Sequence, residues 1–319
     1  MNAIELARDI ADFLAFKRAM GYSYRRSEFT LKSFQCFVEQ RVGGQARGSL
    51  TVLLKEWLAR ADGRKPVTVG LEFGVVRQLC LYRRRRDPNS FVPDHSWAPV
   101  KESTFLPYIF SPEEVRDLIE RAGRHRGRNV GSVMLRTLML ILYCTGLRLG
   151  EAVRLQLPDV DLNRQTFFIR ESKGKSRIVP FRADLTKEIR DYLLARQRIV
   201  DRVNGRDPGA LLLREHGQAL SVRTASDAIR LLLRKAGLKP ITGRIGPRPY
   251  EFRHAFAVHR LTLWYRQGVD IHAKLPWLSA YMGHVNVLGT EVYLAATPEL
   301  MRLASQRFAR RWKRSGKVS

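Results

Sequence analysis

Acidic residues are scarce in this sequence: Asp and Glu number 30 against 57 Lys and Arg, leaving a net charge of +27. A field of that size favours a polyanion partner, nucleic acid above all. A ribosome-associated or membrane-surface protein is the alternative. The basic residues are spread through folded-looking segments rather than gathered on one amphipathic helix, which argues against the membrane surface. No apolar run reaches membrane-spanning length, so a soluble protein is expected. The opening residues MNAIELARDIADFLAF form an amphipathic helical pattern with acids, not the basic start and apolar core of a signal peptide. Cysteine is sparse too. Cys36, Cys80 and Cys144 lie far apart in apolar contexts with no CxxC spacing. They read as small buried hydrophobes in a reducing cytoplasm. The seven histidines make no HExxH or Cys/His ligand set, and no dinucleotide or P-loop glycine pattern occurs. An enzyme with this sequence is expected to use no metal and no nucleotide cofactor.

What is present is helical patterning in two blocks. At 319 residues, with 45% hydrophobic content, about two domains with real cores are expected. Residues 1–86 carry helical stripes: Ile4, Ala7, Ile10, Ala11, Phe13 and Leu14, then Phe29, Leu31, Phe34, Phe37 and Val38. The aromatics of the second stripe read as core. Two further helices are expected over Thr51–Ala61 and Val67–Tyr82. The run Arg83–Arg86 reads as a phosphate-contacting helix end. Residues 87–107, with Pro88, Pro93, Pro99 and Pro107, lose the helical period and read as a stiff linker. Residues 108–319 are again helix-rich. Ser111-Pro112-Glu113-Glu114 is an N-cap signature. Thr166–Ile169 and Arg177–Pro180 flank Gly174 and predict a β-hairpin with Lys173 and Lys175 beside its turn. Helices are expected over Leu185–Arg198, Ser221–Ala236, Pro249–Gln267 and Pro276–Met282, with a basic helix closing the chain.

Four residues in this second block suggest phosphoryl transfer. Arg148 lies in TGLRLGE, Arg253 in YEFRH, His284 after Gly283, and Tyr293 nine positions later. Guanidinium forks hold a phosphate bidentately. A histidine hydrogen-bonds or moves a proton near neutral pH. A tyrosine hydroxyl can attack and form a covalent intermediate. Each has a plain structural reading as well: a post-helix arginine, a capping histidine, an ordinary core tyrosine.

The order Arg, hairpin Lys, x-x-Arg box, Gly-His, Tyr resembles the tyrosine recombinase, or phage integrase, family over residues 111–300. Residues 1–86 resemble that family's helical core-binding domain more loosely. The resemblance implies a mainly α fold with a small β-hairpin sheet in the catalytic domain. A SAM-like helical core-binding domain over 1–86 would precede the catalytic domain over 108–319. By the same resemblance Arg148 and Arg253 clamp the scissile phosphate, Glu151 is the supporting acid, and Lys173 protonates the leaving 5′ oxygen. His284 assists and Tyr293 is the nucleophile, giving a 3′-phosphotyrosine without any cofactor. Tyr250 stands where the family has the first histidine of its HxxR box. Its hydroxyl can donate to a phosphate oxygen but is a poor proton acceptor at pH 7. His254, common at its place in the family, is not read as a replacement. The implied partner is double-stranded DNA, bound by a homo-tetramer or by a hetero-tetramer with a related recombinase. The setting is the bacterial cytoplasm at the nucleoid, with no membrane. The implied function is site-specific recombination or integration, with residues 16–40 faintly similar to recombinases of mobile elements. A DNA-binding partner with weakened chemistry and a type IB topoisomerase are the rival readings.

Overall fold

The computed structural model describes residues 2–42, 48–60, 63–99, 107–127, 129–172, 175–203, 206–243, 245–294 and 297–315. They form two compact units, Met1–Phe105 and Leu106–Ser319.

The first unit is a set of four helices: α1 (Ala3–Ala19), α2 (Arg25–Val42), α3 (Leu50–Ala59) and α4 (Pro66–Arg86). Asn2 starts α1 by accepting from the Glu5 amide at 2.7 Å, while the Glu5 carboxylate accepts from the Asn2 amide at 3.1 Å. The core takes Leu6, Ile10 and Phe13 from α1, Leu31, Phe34 and Val38 from α2, Leu54 and Trp57 from α3, and Phe73 and Val76 from α4. Phe29 is solvent-exposed, not core as its stripe suggests. It lies two positions before Leu31, roughly 200° around the helix from the buried line. Cys36 is exposed for the same reason, two positions after Phe34. Cys80 is buried and Cys144 half-buried. The arginine run is partly occupied within the unit: Arg83 pairs with Asp9 at 2.6 Å and Arg86 with Asp12 at 2.9 Å. Phe91, Val92, Trp97 and Ala98 pack onto the same core, so this proline-rich stretch is held to the first unit as far as it is described.

The second unit begins with α5 (Pro112–Gly123), α6 (Ser132–Thr145) and the short α7 (Leu149–Val153). A three-stranded antiparallel sheet follows in the order β1 (Val160–Asp161), β2 (Thr166–Ser172), β3 (Lys175–Pro180). Phe167 pairs with Val179, and both are buried. Phe168 and Ile178, one residue along, face out, as the period of a strand requires. Then come α8 (Ala183–Val203), α9 (Val222–Lys235), α10 (Glu251–Arg266), α11 (Ile271–Met282), α12 (Leu288–Glu291) and α13 (Pro298–Ser315). One core joins α5 to α9 with the sheet, and a second joins α10, α11, Tyr293 and Leu300.

The helix expected to start at Pro276 starts at Ile271. Asp270 caps it, its carboxylate accepting from the His272 and Ala273 amides at 2.9 and 3.4 Å, and Pro276 is carried inside. In the closing helix Leu300 is fully buried in its own unit, and Arg307 donates to the Gly268 and Val269 carbonyls. Phe308 faces solvent, off that buried line. No helix among the described residues is long and apolar enough to cross a membrane.

Candidate active site

The site is assembled around the carboxyl end of α11. The last carbonyls of a helix lack partners within it and carry its negative dipole end, so they attract cations. Here three consecutive carbonyls each receive one arginine. Arg177 Nε donates to Tyr281 O at 2.9 Å. Arg253 Nη2 donates to Met282 O at 2.6 Å. Arg148 Nη2 donates to Gly283 O at 2.9 Å. Gly283 makes the turn possible: it sits at φ 68°, and a Cβ there would meet Arg177 Nη1 at 2.7 Å.

Arg148 precedes α7, after α6 ends in the left-handed Gly146. A Cβ on Gly146 would lie 2.3 Å from the Phe256 ring, so glycine is needed for α6 and α10 to approach. The Gly146 carbonyl accepts from Arg253 Nη1 at 2.7 Å. Arg253 is thus fully buried, with its two outer nitrogens bonded to the backbone. Its Nε is buried with no hydrogen-bond partner among the described residues. Burial, and then the nearby Arg148 charge, lower its pKa, though a guanidinium stays cationic.

Glu151 is the buried counter-ion. Its carboxylate accepts from Arg148 Nη1 at 2.7 Å, from Arg177 at 3.1 and 2.9 Å, from the Arg148 amide at 2.9 Å, and from the Ser172 hydroxyl. Burial alone pushes such a carboxyl upward. The bonds from Arg177, Ser172 and the Arg148 amide outweigh it and hold Glu151 down at about 2.

Tyr293 follows α12 and is 2% exposed. Its ring stacks toward His284 with centroids 6.3 Å apart and meets the edge of His254 at 5.3 Å. Burial pushes its phenol up to about 12, with the Tyr250 hydroxyl adding to the rise and the Arg253 and Arg148 charges opposing it. His284 Nδ1 shares a 2.6 Å hydrogen bond with the buried Thr290 hydroxyl. Tyr250, just before α10, is 39% exposed and packs edge-on against His254 at 4.8 Å. Burial, then the charges of Arg253 and Arg248, hold His254 down at about 4, so it is neutral at pH 7.

The structure therefore brings Arg148, Glu151, Tyr250, Arg253, His284 and Tyr293 together. Lys173 lies outside the described residues. Sequence reasoning passed over Arg177 and Ser172, which stand in the strands flanking the expected hairpin turn, and it set aside His254, which touches Tyr293. The sole signal for Arg177 was its place in SKGKSRIVP.

Comparison with known proteins decides the family. The model of the phage integrase family matches residues 109–299. The chain belongs to the phage integrase family. This recombinase is 33% identical over 309 residues to y4rB of Sinorhizobium fredii, a protein named as an integrase/recombinase, covering 95% of this chain and 97% of the relative. It is 32% identical over 210 residues to the tyrosine recombinase XerA of Thermococcus kodakarensis, covering 66% of this chain and 65% of the relative. Among solved structures, the fold is shared with the XerH recombinase bound to palindromic difH (TM-score 0.68, 19% identity, 89% of this chain and 79% of that one). It is shared equally with the Tn1549 transposon integrase in complex with transposon right end DNA (TM-score 0.67, 18% identity, 97% and 100%). The chain is accordingly an enzyme of the tyrosine-type site-specific DNA recombinase class, mainly helical with a small three-stranded sheet.

Proposed function

We propose that Tyr293 is the nucleophile of this recombinase, attacking a DNA phosphodiester held between Arg148 and Arg253. The observation that carries this is electrostatic. Two guanidiniums lie side by side in a largely buried site, Arg148 on the Gly283 carbonyl and Arg253 on the adjacent Met282 carbonyl, and among the described residues Glu151 is the buried carboxylate paired with Arg148. Backbone carbonyls fix both at the end of α11, so the donors are preorganised for an anion placed between them. In the reaction the phenolic oxygen of Tyr293 gives up its proton to the adjoining His254 imidazole, which is neutral at pH 7, and forms a bond to phosphorus as the bond to the 5′ oxygen breaks. Lys173 supplies the proton to that leaving oxygen. His284 and the Tyr250 hydroxyl donate to the phosphate oxygens. The resulting 3′-phosphotyrosine stores the bond energy, and a 5′ hydroxyl from another strand reverses the step.

The partner is double-stranded DNA. Its recombining complex is a tetramer of this chain, or of this chain with a related recombinase, at the bacterial nucleoid. The full-length match to y4rB and the fold shared with a transposon integrase support a role in moving a mobile element. Trapping on a nicked suicide substrate, followed by mass spectrometry of the adduct, tests the reading. The crosslinked peptide should contain Tyr293, and an adduct on any other residue sinks the assignment. A bridging 5′-phosphorothiolate leaves without a proton, so it should restore cleavage by Lys173→Ala but not by Arg148→Ala. Equal behaviour of the two variants would remove Lys173 from the acid role.

A further inference from the structure

We infer that Arg177 is a positioning residue for strand cleavage, fixing the Arg148 clamp and the Gly283–His284 turn in one register. The inference rests on the active-site reading above. Arg177 sits on β3, with its side chain 13% exposed. Both its outer nitrogens grip Glu151, at 3.1 and 2.9 Å, and Nε takes the Tyr281 carbonyl at 2.9 Å. All three nitrogens are engaged by protein acceptors, so this arginine is built to hold protein groups rather than to receive a phosphate.

The bonds close on themselves. Arg148 Nη1 binds Glu151, Glu151 binds Arg177, and Arg177 binds the Tyr281 carbonyl. Two residues on, the Gly283 carbonyl returns to Arg148 Nη2. This cycle joins α7, β3 and the end of α11, and so ties Arg148, the strand that follows residues 173–174, and His284 together. Arg177 also lies flat against Gly283, where a side chain would collide with it. Displacing Arg177 therefore releases one phosphate clamp and the turn before His284 together. A lysine cannot take its place, because a point charge cannot bond both carboxylate oxygens and a carbonyl in one plane.

The groups facing Glu151 are Arg148 from α7, Ser172 from β2, Arg177 from β3 and the charge of Arg253 from α10. Removing Arg177 takes away the strongest of the donors that keep Glu151 ionised. The carboxyl then titrates at higher pH, and cleavage, which needs its charge to hold Arg148, should acquire an acid limb.

The test uses full-length Arg177→Gln and Arg177→Lys in two measurements. Hydrogen exchange on the DNA-free proteins should speed up in peptides covering 145–153 and 279–290 and stay wild-type elsewhere in the second unit. Wild-type exchange in those peptides, or faster exchange throughout the unit, overturns the inference. Single-turnover cleavage by Arg177→Gln should fall roughly 10²-fold, the scale of a small misplacement of reacting groups, with DNA affinity unchanged. Its acid limb should move up by at least about one pH unit, with Arg177→Lys between it and wild type. A slower enzyme with an unmoved pH profile overturns the inference as well. If wild type itself forms no adduct, the nucleophile assignment fails, and the exchange measurement still decides Arg177.

Discussion

Tyr293→Phe is expected to fold and to bind DNA as the wild type does, yet to form no covalent adduct at all. The ring is core: it packs with Phe256, Leu278, Met282 and Leu300, so Phe keeps that packing. Removing the ring altogether, as in Tyr293→Ala, should cost about 3–5 kcal/mol of stability, which would confuse loss of chemistry with loss of fold. On the proposed reading the hydroxyl is the nucleophile, so its loss has no partial substitute. The neighbouring tyrosines are poorly placed to stand in. Tyr281 donates its hydroxyl to the Pro180 carbonyl at 2.8 Å, and burial raises its pKa far above the ordinary value. Tyr250 is the more exposed rival, at the start of α10 beside the clamp. Gel-shift affinity and suicide-substrate trapping, run together, separate the outcomes. An adduct that persists in Tyr293→Phe, or maps to Tyr250 or Tyr281, refutes the assignment. The phenol's elevated pKa adds a second expectation. At pH 7 Tyr293 is protonated, so on the proposed reading its proton leaves during attack and its buried ring moves to meet a phosphate.

Much of this site was legible in the sequence because its chemistry is bound to local patterns. Arg148 follows a helix that must stop at Gly146, and Arg253 stands three residues after Tyr250 on the first turn of α10. Such local geometry survives without knowledge of the fold. Arg177 was not legible as a functional group. It alternates on a strand among other basic residues, and its importance comes from Glu151, 26 positions away, and Tyr281, 104 positions away. His254 has the same difficulty, since its contact with Tyr293 spans α10 and the turn after α12. The exposed Phe29 shows a different limit. A stripe of apolar residues suggests one face, but the helical angle places Phe29 opposite Leu31. At α11 the proline rule gave way to a stronger local one: the Asp270 cap satisfies two amides, and a proline inside the helix is tolerated behind it.

Arg253→Lys should reduce cleavage by about 10²–10³-fold with DNA affinity little changed. The substitution keeps the charge and removes the fork. In the native site Nη1 holds the Gly146 carbonyl and Nη2 the Met282 carbonyl, while the buried Nε has no hydrogen-bond partner among the described residues. An ammonium group lacks the planar fork that here reaches two separate carbonyls, so it cannot hold both and still face a phosphate. At least one carbonyl would lose its donor, at a cost of about 1–3 kcal/mol, so some loss of stability is expected too. DNA affinity draws on phosphate contacts across a chain of net charge +27, so one buried residue adds little to it. Denaturant unfolding of the variant shows whether it remains folded under assay conditions. Chemical rescue then separates scaffold from chemistry: guanidinium added to Arg253→Ala should restore part of the cleavage rate, because a free guanidinium ion can fill the space and supply the planar donors. Cleavage by Arg253→Lys at close to the wild-type rate would show that charge alone suffices, and that the fork on Gly146 and Met282 serves only the fold.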